Sequence, residues 1–255
     1  MGKRFLTAVC VVAPLAAACG GGTDQAMEAS LVGREFLSES VEGRELVADT
    51  VVRITFGSEL HVYAGCNHLG GPYRVDGGRL HMAGFSSTEI GCNPELAEQD
   101  DWLQDLLTGS PSVVLDEPRL TLSNAATRLT LLDRELASPD LPLMGIHWIA
   151  NGIGDEGAVT STTGGMTMSF REDGTVEFFT GCQQGSGDYS ADDTTISVRN
   201  LVYDGANCST PTDVPFNPHT HLLSILDAAP VSYEIEEDRL TISGDGRRVI
   251  FVAEQ

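Results

Sequence analysis

The 255-residue chain holds a single lysine, Lys3, and few aromatic side chains, 6% of its residues. Its 37 acidic residues outnumber 15 basic ones, giving a formal net charge of −22 at pH 7. Two of the basic residues, Lys3 and Arg4, open an apolar leader, so the remainder is more acidic still. Such a surface repels phosphate backbones and anionic headgroups, which argues against nucleic acid as a partner. Without lysine beyond residue 3 there is no Ser-x-x-Lys hydrolase motif, and Gly-x-Ser-x-Gly is absent too. After the leader no stretch approaches twenty apolar residues, so no other segment reads as a membrane-spanning helix. The acids are scattered rather than run together, which speaks against a disordered acidic tail.

What is present begins with that leader. Residues 1–18, MGKRFLTAVCVVAPLAAA, combine a short positive start with an apolar run too short to span a bilayer comfortably. Cys19 follows Ala16-Ala17-Ala18 and precedes Gly20-Gly21-Gly22-Thr23-Asp24. The junction resembles a bacterial lipoprotein signal, cut before Cys19, whose thiol then carries diacylglycerol. It departs at Ala16, where such signals place a larger apolar residue; Leu15 stands one step early. An ordinary secretory cut after Ala16-Ala17-Ala18 is the alternative. A second acyl chain on the new amino terminus would make anchoring stable, since one chain holds only marginally. The expectation is a protein outside the cytoplasm, lipid-anchored at the cell membrane or the outer membrane, with residues 19–30 as a flexible tether.

Of six cysteines, Cys10 lies in the leader and Cys19 at the cut, leaving Cys66, Cys92, Cys182 and Cys208. An even number suits an oxidising compartment. Their surroundings repeat: YAGCNHLGGPY (63–73) parallels FTGCQQGSGDY (179–189), each with a tyrosine seven positions after the cysteine. LVGREFL (31–37) matches LMGIHWI (143–149), and EPRLTLS (117–123) matches EDRLTIS (237–243). Leu106-Leu107 maps onto Leu222-Leu223 at the same offset as the cysteines. Matches in one order mean a duplication. The expected organisation is a domain at 31–134, a polar, proline-bearing linker at 135–142, and a second domain at 143–255. Cysteines 26 apart in both diverged copies predict the bridges Cys66–Cys92 and Cys182–Cys208, one inside each copy. A nucleophilic cysteine would want a nearby base, and zinc two more ligands at finger-like spacing; neither pattern recurs around both pairs. Each bridge is worth about 3–4 kcal/mol in the chain-entropy model.

Within each copy the period is mostly two. Ile54 and Phe56, Leu60 and Val62, Leu80 and Met82, Leu120 and Leu122, Leu129 and Leu131 alternate with polar neighbours, as in half-buried antiparallel strands. Asn93-Pro94 caps and starts a helix with Leu96, Leu103, Leu106 and Leu107 on one face, stopped at Gly109; Asn217-Pro218 opens a shorter counterpart. The fold class expected is α+β, mainly antiparallel β, as two tandem small sheets, each with one packed helix.

The order of landmarks resembles the META or HslJ-like domain family: an early Trp or Phe, Gly-Cys-Asn, Gly-x-Tyr, a second Cys, a helix and a terminal strand pair. The first copy carries Phe36, Gly65-Cys66-Asn67, Gly71-Pro72-Tyr73 and Cys92. The second carries Trp148, Gly181-Cys182, Gly187-Asp188-Tyr189 and Cys208, with Gln183 in place of the Asn and no acidic helix start. The resemblance implies partly barrel-like sheets and bacterial lipoproteins tied to envelope stress, secretion or motility, with no general catalytic activity or cofactor.

Other motifs carry less. Gly152-Ile153-Gly154-Asp155-Glu156-Gly157 spells a dinucleotide fingerprint but opens no helix and sets carboxylates where a pyrophosphate would approach, so a hairpin is expected. His219-Thr220-His221 reads as a surface histidine pair rather than a metal pair, and Asp100-Asp101 as acids at a helix start. Tyr73 and Tyr189 either line a groove for an apolar ligand or pack across strands, packing being favoured. No catalytic residue or metal ligand is assigned. The functional expectation is a non-catalytic binding or structural module of the cell envelope, its partners the membrane through the anchor and an envelope protein or hydrophobic ligand. The alternative is a cell-surface hydrolase with an unrecognised carboxylate site.

Overall fold

The computed structural model describes residues 21–155, 157–162, 165–205, 208 and 217–254. Cys19 and the leader lie outside the described residues. The chain divides into two compact units, Met1–Ala137 and Ser138–Gln255.

The first unit opens with α1 (Gly21–Leu31) and runs through β1 (Arg34–Glu42), β2 (Arg53–Phe56), β3 (Leu60–Tyr63), β4 (His68–Gly71) and β5 (Tyr73–Asp76). Next come β6 (Arg79–Met82), β7 (Ser86–Ser87) and α2 (Pro94–Thr108). β8 (Ser112–Asp116), β9 (Arg119–Ser123), β10 (Arg128–Asp133) and the short α3 (Arg134–Ala137) complete it. The strands pair antiparallel in the order β5-β6-β8-β9-β10-β1-β2-β3-β4-β7. Between β4 and β5 stands Pro72, which lacks the N–H a ladder needs and interrupts what is otherwise one strand path.

The second unit holds β11 (His147–Asp155), β12 (Val159–Ser161), β13 (Thr167–Phe170), β14 (Thr175–Phe179), β15 (Gln184–Ala191) and β16 (Thr195–Tyr203). After α4 (Pro218–Asp227) follow β17 (Val231–Glu236), β18 (Arg239–Gly244) and β19 (Arg247–Ala253). Where the first copy has β4 and β5, this one has the unbroken β15, with Gly187 at the position of Gly71. β11 pairs with both β13 and β19, so the sheet closes into a barrel. Of the GIGDEG segment, Gly152 to Asp155 end β11, and the Asp155 carboxylate accepts from Gly157 and Ala158 N–H, while Glu156 lies outside the described residues.

Both copies place a bulge at the same point of their first strand, between Ser38 and Ser40 and between Ala150 and Gly152. A bulge bends its strand and raises the local twist, which helps a sheet curl around its core. In the first unit that core gathers Phe36, Ile54, Phe56, Leu60, Leu120 and Leu129, with the α2 leucines over it. Its counterpart centres on Trp148, Met168, Phe170, Leu240 and Phe251.

Two segments differ from expectation. Residues 19–30, read as a flexible tether, are helical from Gly21 onward, and Leu31 at the end of α1 is fully buried. The cause is local: Met27 and Leu31 turn one face inward, while Asp24 accepts from Gly77 and Gly78 N–H and Glu28 from Val75 N–H. The linker 135–142 is likewise engaged. It begins within α3, Leu141 packs on the second core, and Asp140 accepts from Glu237 N–H.

Candidate functional site

The repeated Gly-Cys phrase forms a tight turn after β3 in the first unit and after β14 in the second. Gly65 and Gly181 both have positive φ, +109° and +86°. A Cβ on Gly65 would sit 2.9 Å from Thr50 Cγ2 and 3.2 Å from Leu96 Cδ2, so both the angle and the space call for glycine. From these turns the cysteines reach the segments that lead into the helices. Cys66 bonds Cys92 and Cys182 bonds Cys208, with Cα–Cα separations of 6.2 and 5.7 Å.

Asn67 organises the first of these turns. Its backbone N–H and Nδ2 both donate to Asp100 Oδ2, at 3.1 and 2.8 Å. Its Oδ1 accepts from Ile90 N–H and the Thr88 hydroxyl, at 2.8 and 3.0 Å, which fixes the loop before Cys92. Next to Asp100 on α2, the fully buried Gln99 donates to Ala64 O and Thr50 Oγ1 and accepts from Val47 N–H. Helix, turn and disulfide therefore form one polar knot.

The sequence reading missed Gln99 and misplaced Asp100. Asp100 is no helix-start acid: it lies mid-helix and is 5% exposed, whereas Asp101 faces solvent. A signal was there, because Gln99 and Asp100 continue the 3–4 spacing of Leu96, Leu103, Leu106 and Leu107. Polar residues on an apolar stripe are buried partners of something. Among the described residues Asp100 Oδ1 has no hydrogen-bond partner, and an Asp100 oxygen and both sulfurs lie within 4.8 Å of one another. Sulfurs joined to each other do not offer the thiolate charge that a metal takes up.

The second copy builds its turn from other groups. Thr180, fully buried, accepts from Gln183 N–H through Oγ1 and bonds His219 Nδ1 at 2.9 Å. His221 is 5% exposed with Nε2 at 3.0 Å from Arg248 O, so the expected surface histidine pair is half-buried and buried instead. The burial of Leu222, Ile225 and Leu226 aligns α4 with Leu103, Leu106 and Leu107 of α2. The earlier equation of Leu106-Leu107 with Leu222-Leu223 is thereby corrected, and His219 takes the place of Asp100.

The repeated tyrosines occupy matching positions. Tyr73 meets Phe56 edge-on at 5.5 Å and Tyr189 meets Phe170 at 5.0 Å. Each hydroxyl donates to the carbonyl that follows that phenylalanine, Gly57 O at 3.4 Å and Arg171 O at 2.9 Å. Burial raises both phenol pKa values, with Glu28 and Asp173 adding to it. Beside Arg171 lies an open depression of about 570 Å³ with His147, Ser169 and Asp173 on its wall. His147 Nδ1 is 2.9 Å from Ser169 Oγ, a cross-strand pair between β11 and β13. Among the described residues no carboxylate orients the other ring nitrogen, as a catalytic triad would require.

Two antiparallel β-barrel-like sheets, each with an Asn-Pro-started helix packed on it and one internal disulfide, define a duplicated small-domain protein. The family model for the META domain matches residues 29–135 and again 141–255. The chain belongs to the META domain family, in two tandem copies. One structure determined by NMR is 29% identical, the match covering 43% of this chain and 96% of that one with a TM-score of 0.37. An NMR structure from Burkholderia xenovorans is 16% identical over 52% and 98% of the two chains, again with a TM-score of 0.37. No curated protein matches the chain.

Proposed function

We propose that the protein is a non-catalytic binding or structural module of the cell envelope, anchored by lipid on Cys19 and acting outside the cytoplasm. The observation that supports the non-catalytic reading best is the use of the polar groups at the repeated turn. Asn67 and Gln99 bind the surrounding turn and helix, Asp100 Oδ2 binds Asn67, and the tyrosine hydroxyls bind backbone carbonyls. Groups committed to the fold in this way serve as scaffold rather than as acid, base or nucleophile. The anchoring part rests on the Ala-Ala-Ala-Cys-Gly-Gly-Gly junction and on a strongly acidic chain that would need covalent lipid to stay on an anionic surface. Its partner is an envelope protein or a hydrophobic ligand. Replacing Cys19 by Ser tests the anchor: the variant should leave the membrane fraction after a carbonate wash, while the parent stays. Retention of the variant would overturn the lipoprotein reading. Cross-linking in intact cells, followed by mass spectrometry of captured proteins and lipids, then identifies the partner.

A further inference from the structure

The two disulfides share position and spacing but not surroundings. Beside Cys66–Cys92 lies Asp100, 5% exposed, whose Oδ2 takes both Asn67 donors and whose Oδ1 takes none among the described residues. That carboxylate and both sulfurs fall within 4.8 Å of one another. At the corresponding helix position the second copy has His219, already bonded to Thr180. A buried acceptor without a donor destabilises the state that contains it, and more so when it is charged. A disulfide has no proton to give Oδ1. A thiol does.

We propose that Cys66–Cys92 is an exchange-active disulfide that accepts electrons from a dithiol partner, while Cys182–Cys208 is structural. Asp100 is the positioning residue that favours the open form, because an S–H produced by reduction has this buried, incompletely satisfied carboxylate within reach as an acceptor. Both cysteines of the first bridge are partly exposed, so an incoming thiol can reach a sulfur. The step balances. One thiolate of the partner attacks either sulfur, forming a mixed disulfide and releasing the other cysteine as a thiolate, which takes up a proton from water. The partner's second thiolate attacks the mixed disulfide and releases the remaining cysteine, which is protonated in turn. Two electrons pass to the bridge, and the partner leaves oxidised as its own disulfide. The logic is that of a disulfide made easier to reduce by stabilising its reduced form.

The test equilibrates the full chain in a series of reduced and oxidised dithiothreitol mixtures, traps with acid, alkylates, and quantifies each bridge by peptide mass spectrometry. Cys66–Cys92 should open at a ratio of reduced to oxidised dithiothreitol about tenfold or more lower than Cys182–Cys208 requires. Asp100→Asn should narrow that gap and leave Cys182–Cys208 where it was. Loss of stability in the first unit alone would make its bridge easier to open and would widen the gap instead. Equal opening of both bridges, or earlier opening of the second, overturns the proposal. A gap that Asp100→Asn leaves intact overturns the role of Asp100. If that variant does not fold, the S–H infrared band of the reduced parent decides. A component lowered by bonding to carboxylate is expected, and only unbonded thiol bands would contradict the assignment.

Discussion

At the scale of single residues, Asn67 ties the turn, the loop before Cys92 and helix α2 through one side chain. Removing it strips Asp100 of a donor and leaves Ile90 N–H without its acceptor, in a place where Asp100 is almost wholly buried. Asn67→Ala should therefore lower the stability of the first unit by about 2–4 kcal/mol, measured by denaturant unfolding. A change below about 0.5 kcal/mol would mean that the knot is decorative. Asn67, Gly65, Tyr73 and the cysteines were legible because their phrase occurs twice. Gln99 and Asp100 were not, because the helix was read by its leucines and a polar residue on the same stripe was passed over. The second copy gave no help, since its turn is held through Thr180 and His219 instead.

At the scale of elements, the period-two strands and the Asn-Pro helix starts were readable. Helix α1 was not, because three glycines and a polar stretch look like a tether. Its inward face settles the matter: Leu31→Ala should cost the first unit about 2–4 kcal/mol, as for a fully buried leucine. A thermal melt unchanged by this substitution would restore the tether reading. The hairpin turns of the second unit carry their own device. Asp155, Asp173 and Asp192 accept backbone N–H bonds that hold their carboxyls below the ordinary value of 3.8. A lowered folded pKa means stabilisation present above the unfolded value and lost as pH falls through the folded one, so these turns weaken in acid below about pH 4. The groups are exposed and each contribution is small. Asp192→Asn keeps an acceptor but cannot titrate, so it should shrink the stability difference between neutral and acid pH. Trp148 fluorescence in a Trp102→Phe background reports this for the second unit alone, and an unaltered acid response would contradict it.

At the scale of the whole molecule, the duplication was the most legible feature, since order and spacing survive where individual residues diverge. The bulge shared by β1 and β11 and the shared tyrosine packing show how deep the repetition runs. What the sequence hid was the local substitution of one polar knot by another, because such exchanges keep the geometry while changing every residue type. Each copy is held by its own staple between its Gly-Cys turn and the approach to its helix. Non-reducing peptide mapping of the oxidised full chain tests this directly. It should yield one linked peptide pair containing Cys66 and Cys92 and another containing Cys182 and Cys208. Unpaired thiols at these four positions, or a link from Cys66 to Cys182 or from Cys92 to Cys208, would contradict it.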